Sequence, residues 1–289
     1  MVAVNQPEHS AAAALEAVGL NKRYGPRRWA LRDVSVAIPS GRITGLVGPN
    51  AAGKSTLLRT WLGFERPTSG RVRVDGVDPT DRSSEARSRV GYVPQMAQVY
   101  RALTVAEHLG FVALLRDRFN TDRAREHLEQ LAIPLSARGD QLSGGQQAQL
   151  VLALALGADA PILLLDEPLA HLDPLARREF LKLVRSSVEE EGRTVVLSSH
   201  VVSDVEQACD NLLVLGVGRV LLHSSLADAV AGHAIAPLNF DISDMVADFS
   251  GPDGSMVRLV ARAPSGGAER RATLEEVVLG HLASTRVAA

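Results

Sequence analysis

Apolar and polar positions along the chain alternate between two periods. Arg42-Ile43-Thr44-Gly45-Leu46-Val47 reads as a short strand, and Lys54 to Leu62 as a helix ended by Gly63. Arg71-Val72-Arg73-Val74 alternates polar and apolar at period two and runs into Asp75-Gly76, a hairpin turn signal. That combination predicts an antiparallel strand pair beside a βα core. Thr104 with Glu107 has the spacing of a capping box, and Leu109, Val112 and Ala113 continue at helical spacing. Further helices are predicted over Asp122 to Leu131 and Gln146 to Leu156. Two apolar runs follow, Pro161-Ile162-Leu163-Leu164-Leu165 and Thr194-Val195-Val196-Leu197, whose continuity suits buried parallel strands. Leu175 to Val188 forms a helix between them. The alternation is that of an α/β domain with an inserted helical lobe.

After about Ser224 the pattern loosens. Asp241, Asp244, Asp248 and Asp253 come without a basic partner, Gly, Pro and Ser punctuate residues 250 to 267, and a last helix is predicted over Thr273 to Leu282. No internal repeat is visible. This segment reads as a small accessory region.

Composition narrows the class of function. The 289 residues carry 31 Lys+Arg against 33 Asp+Glu, a net charge of −2, which offers no general attraction to nucleic-acid phosphates. Hydrophobic residues at 46% and charged residues at 22% are those of a globular chain, long enough to bury a core without staples. Aromatics are only 4%, so that core must rest on Leu, Val, Ile and Ala. Cys209 is the only cysteine, so no intrachain disulfide forms and a reducing interior is permitted. The uncharged stretch from Gln141 to Ala158 contains Ser143 and four glutamines, which argues against a membrane span. Ala11 to Ala14 lack a basic flank and follow Glu8, so no cleavable secretory signal is expected.

Candidate chemistry begins with Gly48-Pro49-Asn50-Ala51-Ala52-Gly53-Lys54-Ser55, followed by Thr56. It fits G-x-x-x-x-G-K-[ST] between a predicted strand and a predicted helix. Backbone N–H groups of such a loop wrap phosphate oxygens, and the helix start adds about half a positive charge. Lys54 is placed to reach the β and γ phosphates, and the Ser55 hydroxyl to coordinate Mg²⁺. The motif marks a nucleotide triphosphatase and is silent on which kind. Asp166-Glu167 closes the first apolar run. Taken alone, such a pair is more often a solvated helix cap; downstream of a phosphate loop it reads as Asp166 holding Mg²⁺ through water and Glu167 deprotonating the attacking water.

Leu142-Ser143-Gly144-Gly145-Gln146 is a second anion site in physical terms: an N-cap hydroxyl, glycine amides and a helix start. At this point the sequence resembles the ATP-binding cassette family, the nucleotide-binding domains of ABC transporters. The resemblance covers about residues 14 to 222. It implies a P-loop NTPase core of mixed sheet, with an antiparallel β subdomain and an inserted helical subdomain (about 96–158). The ATPase domain is expected at 14–224 and the accessory region at 225–289. It further implies that Tyr24 stacks on adenine and that Gln95 senses Mg²⁺ and the attacking water. Asp173 would speak to the opposite site, and His200 would contact the γ-phosphate. Two subunits would dimerise head to tail, each ATP lying between one phosphate loop and the other chain's Ser143-Gly144-Gly145-Gln146.

Two departures stand out. The family usually has Gly where Ala51 stands; if that position needs positive φ, Ala costs on the order of 1 kcal/mol, weakening binding without abolishing it. A basic residue is commoner at Gln149, so the helix there lacks one positive charge. The implied function is the ATP-hydrolysing subunit of a transporter, peripheral on the cytoplasmic face of the membrane. Its partners would be a second cassette, identical or related, and a separate integral membrane permease, with no nucleic acid. The segment from Asp241 to Leu282 looks like the C-terminal piece of bacterial exporters, which favours export. The alternative is a soluble cassette ATPase without a transporter. Only one phosphate loop is present, and the segment between Lys54 and Ser143 has no sustained heptads, unlike translation or chromosome relatives. A non-hydrolysing ATP sensor is disfavoured by Glu167 and His200.

Overall fold

The computed structural model describes residues 13–81, 85–96, 99–170, 172–238, 244–251, 254–261 and 270–287. The chain begins β1 (Ala13–Tyr24), β2 (Arg28–Pro39), β3 (Ile43–Val47), α1 (Lys54–Trp61), β4 (Ser69–Val74), α2 (Glu85–Ser88) and β5 (Val90–Val93). Three helices follow: α3 (Val105–Leu115), α4 (Thr121–Gln130) and α5 (Gly144–Gly157). Then come β6 (Ile162–Asp166), α6 (Pro174–Glu189), β7 (Thr194–Ser199), α7 (Val202–Ala208), β8 (Asn211–Gly216) and β9 (Arg219–Ser225). The last elements are α8 (Leu226–Ala231), β10 (Ala234–Ala236), β11 (Met245–Ser250), β12 (Met256–Val260), β13 (Arg270–Arg271) and α9 (Leu274–Val287).

Six strands form the central sheet in the order β5-β6-β7-β3-β8-β9, parallel except for β9. Every residue of β3, β6 and β7 is buried, which is why these segments read as unbroken apolar runs. Successive side chains point to opposite faces. Leu163, Leu165, Val195 and Leu197 pack with α6 on one side, while Leu164 and Val196 pack with Trp61 of α1 on the other. That second side is closed by a three-stranded antiparallel sheet, β2-β1-β4. Helices α3 to α5 bury their own cluster, including Leu109, Leu128 and Leu150, so this lobe has a separate small core. The Thr104–Glu107 capping box forms at the start of α3.

Some expectations change. Asp75 and Gly76 do turn the chain, at φ +48° and +79°, yet beyond the Val74–Val77 bridge no strand among the described residues returns along β4. The partner of β4 is β1, from the start of the chain. The segment after Ser224 is more regular than its composition suggests. Its antiparallel sheet runs β11-β12-β10-β13, and α9 is capped by reciprocal bonds between Thr273 and Glu276. Phe249, Leu259 and Val277 of this region join the same apolar cluster as Leu212 and Val214 of the central sheet. Asp248 is not without a basic partner: Arg258 grips it with two bonds of 2.7 and 2.8 Å across β11 and β12. Asp241 and Asp253 lie outside the described residues.

Candidate nucleotide site

The C-terminal ends of three adjacent parallel strands, β6, β7 and β3, lie side by side in the interior of the central sheet. The phosphate loop follows β3, Asp166 and Glu167 follow from β6, and His200 ends the turn after β7. The loop closes on itself: Lys54 Nζ donates to the carbonyls of Gly48 (2.6 Å) and Pro49 (3.3 Å). Its glycines answer to space. A Cβ at Gly48 would stand 2.2 Å from the Leu215 carbonyl oxygen, and Gly53 sits at φ +108° with the Ala30 carbonyl against it. The β8–β9 turn braces the loop. Gly218 donates its N–H to the Ala52 carbonyl (3.0 Å), while its own carbonyl accepts from Arg32 N of β2 (2.8 Å).

Ala51 does adopt positive φ, +65°. Its methyl group therefore carries the strain anticipated from sequence. Ala51→Gly is expected to relieve about 1 kcal/mol and, for a chain of this size, to raise Tm by roughly 2 °C. Thermal unfolding followed by circular dichroism checks it; an unchanged or lower Tm would mean that the loop absorbs the strain.

The charged centre is small and fully connected. Ser55 Oγ donates to Asp166 Oδ1 at 3.1 Å, and Ser198 Oγ donates to the same oxygen at 3.0 Å. Ser198 also accepts the Glu167 N–H at 2.8 Å. Lys54 Nζ lies 3.0 Å from Glu167 Oε1, with both side chains under a tenth exposed. His200 Nδ1 stands 3.0 Å from Glu167 Oε2. Burial alone would raise the Glu167 carboxyl, but the Lys54 ammonium and then His200 outweigh it and hold the group below its ordinary value. Glu167 itself is in the left-handed region at φ +48°, a conformation that non-glycine residues take up where the surroundings over-determine it.

A cavity of about 440 Å³ joins these parts, lined by the loop from Pro49 to Thr56 together with Tyr24, Gln95 and Glu167. The hydroxyl and carboxylate oxygens of Ser55 and Asp166 are hard donors of the kind Mg²⁺ takes alongside phosphate oxygens and water, so the set fits that ion. His200 joins the cavity through Glu167. Two predicted pieces stand apart from it. Ser143 caps α5, accepting from Gln146 N at 3.2 Å while Gln146 Oε1 accepts from Ser143 N at 2.9 Å, and Ser143 and Gly144 are exposed. Gly145 continues that turn. Asp173 caps α6 by accepting from Leu175 N and Ala176 N at 3.0 Å each. None of these lines the cavity. Gln149 points into the helical lobe, where its Oε1 meets His127 Nε2 at 3.2 Å, so its lost charge is an interior matter.

Sequence reasoning missed two participants. Ser198 bridges both carboxylate residues, but in Val196-Leu197-Ser198-Ser199-His200 it reads only as the end of a strand. Trp29 lines the cavity from β2, a position that depends on the β1–β2 pairing.

A family model described as ABC transporter matches residues 31–170. The chain is 36% identical over 207 residues to an uncharacterised ABC transporter ATP-binding protein of Synechocystis, spanning 58% of that protein and 69% of this one. It is 41% identical over 209 residues to the energy-coupling factor transporter ATP-binding protein EcfA2 of Symbiobacterium thermophilum, covering 68% of this chain and 71% of that one. It is 33% identical over 221 residues to the lipopolysaccharide export system ATP-binding protein LptB of Escherichia coli, covering 74% and 91%. Among solved structures, the dimeric post-hydrolysis state of the ATP-binding cassette MJ0796 with ADP and phosphate superposes with a TM-score of 0.67. That match is at 27% identity over 73% of this chain and 98% of the other.

Proposed function

Since the chain belongs to the ABC transporter family as one of its ATP-binding cassette ATPases, we propose that it powers transport through a separate membrane-spanning partner. Two cassettes close head to tail on ATP and reopen on hydrolysis. The observation that carries this reading is the single connected centre of Ser55, Asp166, Lys54, Glu167 and His200 beside the cavity. The capped start of α5 lies exposed outside that cavity, free for a second subunit's nucleotide.

In this mechanism the 48–55 amides and Lys54 hold the β and γ phosphates, and Tyr24 carries the base. Ser55 and, through water, Asp166 would hold Mg²⁺, with Gln95 lining the same cavity; the ion, when bound, would neutralise charge developing on the phosphates. Glu167, ionised and fixed by Ser198, takes the proton of the water that attacks the γ-phosphate, giving ADP and phosphate. His200 keeps the carboxylate oriented. The partner cassette's Ser143, Gly144, Gly145 and Gln146 complete the site, and Asp173 sits beside that junction. Opening and closing pass to the permease through the surface around Gln95 and the helical lobe, where Tyr100, Leu114 and Leu115 are exposed. No helix among the described residues is long and apolar enough to cross a membrane, so the span belongs to another chain in this reading, with this one peripheral on the cytoplasmic face. Export is favoured by the exporter-like C-terminal segment and by a relative named for lipopolysaccharide export.

Tagged Glu167→Gln protein recovered from its native cells in mild detergent with MgATP tests the proposal. A multi-span membrane protein in stoichiometric yield supports it. Recovery of soluble partners alone, or of none, replaces it with a soluble cassette ATPase.

A further inference from the structure

Two of the scarce aromatic residues, Tyr24 and Trp29, line the same 440 Å³ cavity as the phosphate loop. The chain has only two tryptophans. Trp61 is fully buried, its Nε1 donating to the Glu16 carbonyl at 2.9 Å. Trp29 is 39% exposed, a large apolar surface left open beside a polar loop. Both cavity aromatics are backed by a cation. Lys22 Nζ stands 5.0 Å from the centre of the Tyr24 ring, and the Arg23 guanidinium 5.3 Å from that of Trp29. Lys22 is itself pinned, by Glu65 at 2.7 Å and by the Arg66 carbonyl at 3.0 Å. Arg23 is the cross-strand partner of Trp29 in the β1–β2 register. Neither cation lines the cavity, whereas both rings do. In each pair it is thus the ring, not the cation, that reaches the cavity.

We propose that Trp29 is a second base-contacting residue: the nucleotide's purine is gripped by Trp29 as well as Tyr24, with Arg23 positioning the Trp29 ring. This rests on the nucleotide-binding reading above. An aromatic platform favours the wide π-face of a purine, and the cation over each ring helps to hold it in place. The phosphate loop sets affinity for any triphosphate, and the paired rings set the preference for one that carries a purine.

The test compares MgATP with magnesium tripolyphosphate, which has the phosphates and no base, by titration calorimetry on the full chain. Trp29→Ala is expected to weaken MgATP about tenfold, the usual scale of one lost base stack, and to change tripolyphosphate by less than about twofold. Trp29→Phe should keep most of the MgATP affinity, and because Trp61 is buried it should lose the nucleotide-dependent tryptophan fluorescence. Equal weakening of both ligands by Trp29→Ala, or unchanged MgATP affinity, overturns the inference and leaves the phosphate-loop reading standing. Wild-type protein that binds neither ligand overturns both.

Discussion

Glu167→Gln is expected to lower steady-state phosphate release at least a hundredfold, the range seen when a positioned general base is removed, while MgATP still binds. The contacts that place this side chain keep a partner after the change, though the ion pair with Lys54 becomes a neutral hydrogen bond. The Ser198 hydroxyl still receives the residue 167 N–H, and the carboxamide has the carboxylate's size and can still face Lys54 and His200. What is lost is the ability to take a proton. ATP should then persist, and the closed dimer with it. Size-exclusion chromatography with MgATP is expected to show a dimer for the variant and mostly monomer for wild type after turnover. Unchanged hydrolysis in a variant that binds MgATP would reassign the base.

Lys54→Ala should instead strike binding, weakening MgATP about a hundredfold, the scale of one charge-assisted contact to phosphate. It also leaves Glu167 without its main counter-charge. In the wild-type protein the lowered Glu167 value contributes stability above the ordinary carboxyl range. That stability is lost as pH falls through the lowered value. Without Lys54, burial dominates and pushes the carboxyl up. The Tm gap between wild type and Lys54→Ala is thus expected to be widest near neutrality, to begin closing as pH falls through the variant's raised carboxyl value and to go on closing down to the wild type's lowered one. Differential scanning calorimetry from neutral pH to below the ordinary carboxyl range measures it. A gap independent of pH would show that the ammonium and carboxylate do not support each other.

The parts of the site that could be read from the chain are those whose chemistry is local. A glycine loop, an acidic pair at a strand end and a serine cap each occupy a handful of consecutive residues. Buried runs such as Leu163-Leu164-Leu165 announce the central sheet because both faces are covered. Features set by register were hidden. Asp248 meets Arg258 only once β11 and β12 pair. The β1–β2 ladder is broken by several register shifts, which blurs the period-two signal over residues that carry both Tyr24 and Trp29. Ser198 had no signal of its own, since its two partners are the last residue of the neighbouring strand β6 and the residue after it.

The β8–β9 turn can be restated as a matter of dimensional tolerance. Gly218 is fastened on one side to Ala52 in the phosphate loop and on the other to Arg32 in β2, the strand that carries Trp29. A Cβ at Gly218 would stand 2.6 Å from the Ala30 carbonyl oxygen, so the fit admits no side chain. One glycine thus acts as a gauge block between the Ala52 end of the cavity and its Trp29 end. An insertion there is expected to mis-set the length of the socket without touching anything bound in it.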